Sequence, residues 1–424
     1  MKRISLILCC VLLFSSQAFA EIIQLSANLS HKMWQTLEKN DAEGLGVHER
    51  SILGATLALE ENNPKKALLM LDIPSSQGDP LANLLKAEAH RRAALEAVSS
   101  VGDYAKHHKL SKQQFAAIDL SEDLTEATVR LQAFADKIDG TAGFPFDILQ
   151  VNNHIFTVFL VDKARSRLFV YQRNSDGELV RVADEYVVTG AKGGDKKARG
   201  DSKTPNGIYR FTTIRHDPAL RAQYGPVVFP IDYPNALDKL QGKTGDGIWM
   251  HGYPEHKTRR PPQDTRGCFA LPNTVLKQME AYVKPGQTWV VIGENFKFVA
   301  RKQQTDLRSS IQASIQSWKH DWESLDADAY LSHYHTDFRS GKYNLKRWKS
   351  YKKRVNSPKK YIRVGLKDMA IIHDPTPWKK GEMVVVEFKQ RYQSSNYSDS
   401  GQKRLYLTRN SSESPWQILI EESL

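Results

Sequence analysis

The chain has 424 residues, 40% of them hydrophobic and 25% charged, and carries a formal net charge of +12. At roughly 100–200 residues per domain, that length excludes a single small domain and implies two to four, each long enough to bury a core. The composition is that of an ordinary soluble globular protein.

The first residues set the compartment. Lys2 and Arg3 are followed by an apolar stretch from Ile4 to Leu13 and then by Ala18-Phe19-Ala20. This is the pattern of a secretory signal, so residues 1–20 are expected to be a signal peptide cleaved after Ala20. The apolar run, about 10–13 residues, is too short for the roughly 20 needed to span a bilayer. Leu6-Ile7-Leu8-Cys9 is a poor lipoprotein site, because a small residue should precede the cysteine. Loss of Cys9 and Cys10 leaves Cys268 as the single thiol of an exported chain, unable to form an internal disulfide and therefore either buried or used. In an exported protein nucleic acid is not an expected partner, and the positive charge suits anionic envelope polymers, though charge alone does not name them. Much of it lies late: from Lys342 to Lys360 there are basic charges and no Asp or Glu.

Residues 21–140 read as a helical domain. Apolar residues recur at three- and four-residue spacing in Ile52–Leu59, Ala67–Leu71 and Leu81–Leu85, and Asn62-Asn63-Pro64 divides the first two runs into a helix hairpin. Ala58–Ala67 looks like one tetratricopeptide-type pair without a second copy, which favours a helical cap or docking domain. Gly140–Pro145 reads as a linker. Residues 150–295 then form a mostly-β domain, with strand patterns at Ile155–Val161, Leu168–Tyr171, Glu185–Thr189, Ile208–Thr212, Ile248–His251 and Trp289–Ile292. Residues 308–424 begin with an amphipathic helix pattern from Ile311 to Tyr334. Strand patterns follow at Tyr361–Leu366, Met383–Tyr392, Arg404–Thr408 and Trp416–Ile420, which makes this an α+β domain. The fold class is therefore multidomain.

The chemistry concentrates in His251-Gly252-Tyr253 and Asp264-Thr265-Arg266-Gly267-Cys268-Phe269-Ala270-Leu271-Pro272-Asn273. His251 ends a strand, and Gly267 lets the backbone turn and present the Cys268 thiol. A histidine at a neighbouring strand end can act as its base, and N–H groups about Gly267 and Cys268 can face an oxyanion. His251, His256 and Cys268 also permit a zinc reading, but a fourth ligand is missing and no metal is expected. Asn273 is expected to cap a helix over Thr274–Tyr282, and Pro205-Asn206-Gly207 to form a turn.

These blocks resemble the YkuD-type catalytic domain of L,D-transpeptidases, which carries a histidine-glycine pair, a gap of about fifteen residues and then Ser/Thr-His-Gly-Cys. Here the counterparts are His251-Gly252 and Thr265-Arg266-Gly267-Cys268. The segment Lys203-Thr204-Pro205-Asn206-Gly207-Ile208-Tyr209 matches the family's Lys-Thr-Pro-x-Gly-x-Tyr, and Phe229–Asn235 is similar to a subgroup of Gram-negative members. The last domain resembles the nuclear-transport-factor-like module of some members, including enzymes that trim peptidoglycan in helical bacteria. It does so through Trp318–Trp322, Asp328-Ala329-Tyr330, Tyr334–Phe338 and Trp416–Glu421.

The resemblance implies a periplasmic enzyme without cofactor, acting on peptidoglycan stem peptides. Cys268 would be its nucleophile and His251 its base, with Gly267 and Gly252 as oxyanion or backbone support. Arg266, Tyr233 and Thr204 would contact substrate, and other cell-wall proteins are possible partners. Two departures stand out: the family's histidine before Gly-Cys is Arg266, and its arginine two residues after the cysteine is Ala270. Transpeptidation is the expected reaction. Hydrolysis of tetrapeptide to tripeptide stems, or an inactive peptidoglycan-binding scaffold, are the alternatives.

Overall fold

The computed structural model describes residues 26–38, 45–73, 79–100, 121–140, 143–255, 257 and 260–424. The signal segment over residues 1–20 lies outside the described residues. Within them, no helix is long and apolar enough to cross a membrane.

The helical part contains Ala27–Glu38, Val47–Glu60, Pro64–Leu71, Pro80–Ser100 and Ser121–Gly140. Every residue from Ser51 to Leu59 is buried, so the helix Val47–Glu60 is the centre about which the others pack. The turn after it works as the Asn62-Asn63-Pro64 signal implies: the Asn63 side chain accepts from the Lys66 N–H and Pro64 occupies the first helical turn.

The middle of the chain packs two sheets. One runs in the order Leu179–Tyr186, Arg167–Arg173, Thr157–Asp162, Trp289–Gly293, Gly207–Arg210. Its central strands, Thr157–Asp162 and Trp289–Gly293, are parallel and buried throughout, which is why both read as unbroken apolar runs. The other sheet is short: Phe269–Ala270, Trp249–His251 and Val228–Pro230. Phe159, Phe211, Phe229, Met250, Phe269 and Ile292 fill the space between the sheets.

In the last domain the expected helix over Ile311–Tyr334 is broken. Thr305–Glu323 is capped at Ser324, Leu325 takes φ +67°, and the Asp326 side chain caps a second helix, Ala327–Ser332. Tyr334 opens a strand instead. The helices, with Leu345–Asn356, cover a seven-stranded sheet whose order is Tyr343–Asn344, Tyr334–Ser340, Gln417–Ser423, Ser398–Arg409, Gly381–Ser394, Ile362–Trp378, Ile148–Gln150.

The segment read as a linker is paired. Phe144–Pro145 lies antiparallel to Phe298–Val299, and Ile148–Gln150 completes the sheet of the last domain. A single apolar cluster runs from Val158, Leu160 and Trp289 of the middle domain to Ile372, Val385 and Leu419 of the last. Glu387, fully buried, is shared between Arg210 of one domain and Arg404 of the other.

Candidate active site

The short sheet brings the two motifs together. Phe269 pairs with Met250 and Ala270 with His251, in parallel. Side chains alternate along a strand. Met250 and Phe269 therefore enter the core, both fully buried, while His251 and, one residue before its strand, Cys268 emerge on the other face. Both border a cleft of about 280 Å³.

Gly267 makes the turn before the thiol. Its φ is +129°, and a Cβ there would sit 2.9 Å from the Lys203 carbonyl oxygen, so a side chain is excluded. The Cys268 carbonyl is held by two hydroxyls, Thr204 Oγ1 at 3.0 Å and Thr265 Oγ1 at 2.6 Å. The half-buried thiol lies 3.5 Å from the Gly247 carbonyl. Burial pushes its pKa up, against the Trp249 N–H and the charges of Arg260, Arg266 and Lys196.

His251 Nδ1 is 2.6 Å from the Gly252 carbonyl oxygen. A carbonyl only accepts, so Nδ1 carries the proton and Nε2 keeps a free lone pair. Burial pushes His251 down to about 4, and the Arg260 charge adds to the fall while the Gly252 hydrogen bond opposes it. The Tyr224 ring meets the imidazole edge-on, with centroids 5.0 Å apart. Burial thus favours the uncharged form of both the thiol and the imidazole.

The other expected site residues separate into groups. Arg266 is exposed on the rim of the cleft. Of the cations around it, Lys196 is paired with Asp201, Arg199 with Asp246 and Arg260 with Asp264, whereas Arg266 has no carboxylate partner among the described residues. Thr204 and Tyr233 do not border the cleft. Thr204 is buried, takes the Gly190 N–H and supports the Cys268 carbonyl. Tyr233 is buried against Tyr209, with its hydroxyl on the Thr244 carbonyl.

The oxyanion role expected of the glycines is not met by their own N–H groups. Gly267 N–H is taken by Thr265 Oγ1 and Gly252 N–H by the Tyr224 carbonyl. Gly252 acts instead through its carbonyl, on His251. Among the described residues no group of three His, Cys, Asp or Glu side chains is placed to hold a metal; His256 lies outside them.

Asn273 is not the cap expected of it. Pro272 occupies that position and the helix begins at Asn273 itself. The Asn273 carboxamide instead brackets the Tyr253 backbone, accepting its N–H at 2.8 Å and donating to its carbonyl at 3.2 Å. It comes so close that a Cβ on Gly252 would lie 2.0 Å from Asn273 Oδ1. Tyr224, Arg260 and Lys196 had no local pattern to mark them. They reach the cleft from separate loops and elements.

Comparison with known proteins falls on the same segments. The family model described as the L,D-transpeptidase catalytic domain matches residues 157–292. The model of the Cds6 C-terminal NTF2-like domain matches residues 310–422. Among solved structures, the chain is similar to Bd1075 of Bdellovibrio bacteriovorus, at 29% identity and TM-score 0.57, over 66% of this chain and 98% of that one. It is also similar to the helical cell shape determining protein Pgp2 of Campylobacter jejuni, at 32% identity and TM-score 0.56, over 66% of this chain and 95% of that one. No curated protein sequence matches it.

Proposed function

The chain belongs to the L,D-transpeptidase family, in the subgroup with a C-terminal NTF2-like domain, and from that premise we propose that it is an exported peptidoglycan enzyme forming a thioester on Cys268. The observation that carries the reading is the shared cleft of Cys268 and His251, with His251 Nδ1 tied to Gly252 so that Nε2 is free to take a proton.

Both groups are neutral at rest, so proton transfer accompanies attack. As the Cys268 sulfur bonds to the carbonyl carbon at the L-centre of a tetrapeptide's third residue, Nε2 takes the thiol proton. The tetrahedral intermediate collapses, the bond to the terminal D-alanine nitrogen breaks, and the imidazolium returns the proton to that amine. In the second half an acceptor loses a proton to His251, attacks the thioester and frees the thiol. A stem amine gives a cross-link; water gives a tripeptide. Arg266, as a cation without a carboxylate partner on the rim, is suited to a carboxylate of the stem.

The exposed rim favours the second, hydrolytic outcome as well. Arg199 and Asp246 are both largely open to solvent, at 73% and 67%, and a thioester protected from water needs a closed groove. Incubation of mature protein with disaccharide-tetrapeptide, followed by mass spectrometry, decides. Cross-linked dimers or D-amino-acid exchange establish transfer. Tripeptide alone, with acceptor in excess, establishes trimming. Either product must vanish in Cys268→Ala, and a folded wild type yielding neither would refute the enzymatic reading in favour of a scaffold.

A further inference from the structure

The matched structures cover 66% of this chain, and both matched family models begin after the helical domain. That domain is docked directly behind the cleft. Val129, on the helix Ser121–Gly140, packs against the buried cluster formed by Tyr186, Val188, Tyr253 and Ala270. Two of these neighbour the reacting groups: Tyr253 lies two residues after His251, and Ala270 two after Cys268.

The next residue, Arg130, places its guanidinium 4.8 Å from the Tyr186 ring centroid. It is fixed there by Glu49 and Glu126 of its own domain. Glu49 also reaches across to Arg167, which holds Asp184. All five charged groups are buried, so the network survives only if the two domains stay together, since breaking one member strands a buried charge.

From this contact three short routes lead to the cleft. Tyr186 donates its hydroxyl hydrogen to the Arg260 carbonyl at 2.9 Å, and Arg260 grips Asp264 at 2.8 Å; both Arg260 and Asp264 line the cleft. Tyr253 has its backbone locked by Asn273 and follows Gly252, whose carbonyl orients His251. Ala270 exchanges paired backbone hydrogen bonds with Val188 at 2.8 and 2.9 Å, and stands in register with His251.

We propose that the helical domain is a working part of the active site, with Val129 and Arg130 as positioning residues that hold the His251–Gly252–Tyr253 strand end and the Arg260 loop in place. Neither touches substrate; each acts through Tyr186, Tyr253 and Ala270. A site held by such supports loses rate when they loosen by fractions of an ångström.

The proposal rests on the Cys268–His251 reading, so its test includes a readout that needs no stem peptide. Full-length Val129→Ala and Arg130→Lys are compared with the parent in three measurements: kcat and KM on disaccharide-tetrapeptide, the rate of Cys268 alkylation by iodoacetamide across pH, and thermal unfolding. Expected are a kcat lower by about tenfold with KM within about twofold, and alkylation at pH 7 faster by about threefold, because a loosened site admits water to the thiol. Leu57→Ala, in the helical core rather than on its docked face, lowers the unfolding temperature alone. Val129→Thr, nearly the same shape, replaces the alanine variant if that one does not fold. A parent that alkylates but never turns over refutes the stem-peptide reading, and the alkylation arm still decides this one. Variants that are folded and match the parent in both kcat and alkylation profile would overturn it.

Discussion

Replacing Asn273 by alanine should slow the proposed acylation at a distance from the Cys268 sulfur. The carboxamide makes two hydrogen bonds to the Tyr253 backbone, at 2.8 and 3.2 Å, and Tyr253 is buried. Each bond is worth about 0.5–1.5 kcal/mol net, but alanine leaves a buried N–H and a buried carbonyl unpaired, at about 1–3 kcal/mol each. The expected loss of stability is therefore about 2–6 kcal/mol, toward the lower end where water enters the gap. The catalytic loss is separate. Tyr253 anchors Gly252, and Gly252 holds His251 Nδ1, so a slack Tyr253 lets the imidazole turn. Misplacement on the scale of an ångström costs about 10²-fold. Urea unfolding gives the first number and single-turnover acylation with disaccharide-tetrapeptide the second. Asn273→Asp, which keeps the acceptor and loses the donor, should fall between. An alanine variant with parental acylation rate, measured where it is folded, would refute the positioning argument, whatever its stability.

Four other outcomes follow from the same structure. Because burial holds the thiol protonated, iodoacetamide labelling should rise about tenfold per pH unit from pH 7 to 9; a rate already level below pH 7 would mean a resting thiolate-imidazolium pair instead. His251 is held down to about 4 from an ordinary 6.5, so as pH falls below about 6.5 the unfolded chain takes the proton first. His251's contribution is complete above that value and is lost progressively toward pH 4, by about 3 kcal/mol at most, a slope that urea melts of His251→Gln should lack. Arg266→Gln should raise KM about tenfold with little change in kcat, the size of a lost charged hydrogen bond, and equal KM values would remove Arg266 from substrate binding. Changing Lys342, Lys346, Lys349, Lys353 and Lys360 to glutamine should weaken retention on sacculi at low salt, where charge is least screened. Lys352 is left alone, because it is buried among Trp322, Tyr330 and Trp348 rather than on the basic face. Parental retention would mean that the charge has no polymer partner.

The strand end at His251 and the turn at Gly267 were legible in sequence because each rests on short-range logic, whereas joining Cys268 and His251 in one site rested on the resemblance to the L,D-transpeptidase domain. The strands over Thr157–Asp162 and Trp289–Gly293 were legible locally too, as unbroken apolar runs. Asn273 was not, because a helix cap and a clamp on a distant backbone look identical in local sequence, and only the missing Cβ of Gly252 reports the difference. Thr204 and Tyr233 belong to matched motifs, but a motif marks that a residue matters and not whether it faces the cleft or supports it from behind. The strand Ile148–Gln150 is too short to show a period, and its partner Ile362–Trp378 contains Pro375, which ordinarily argues against a long strand. The break at Leu325 escaped notice because the apolar spacing continues through it.

That three-residue strand has a consequence for how the protein is made. Gln150 is bonded to Met369, 219 positions further on, and every residue of the middle domain lies in the loop between them. Closing so large a loop costs entropy before any contact repays it. The sheet of the last domain therefore cannot be finished from its own stretch of chain, and the middle domain's cross-boundary apolar cluster stays open to water until it is. A nascent chain halted between them would present that surface to whatever chaperone or protease meets it, so the two units are expected to mature, or to be destroyed, together.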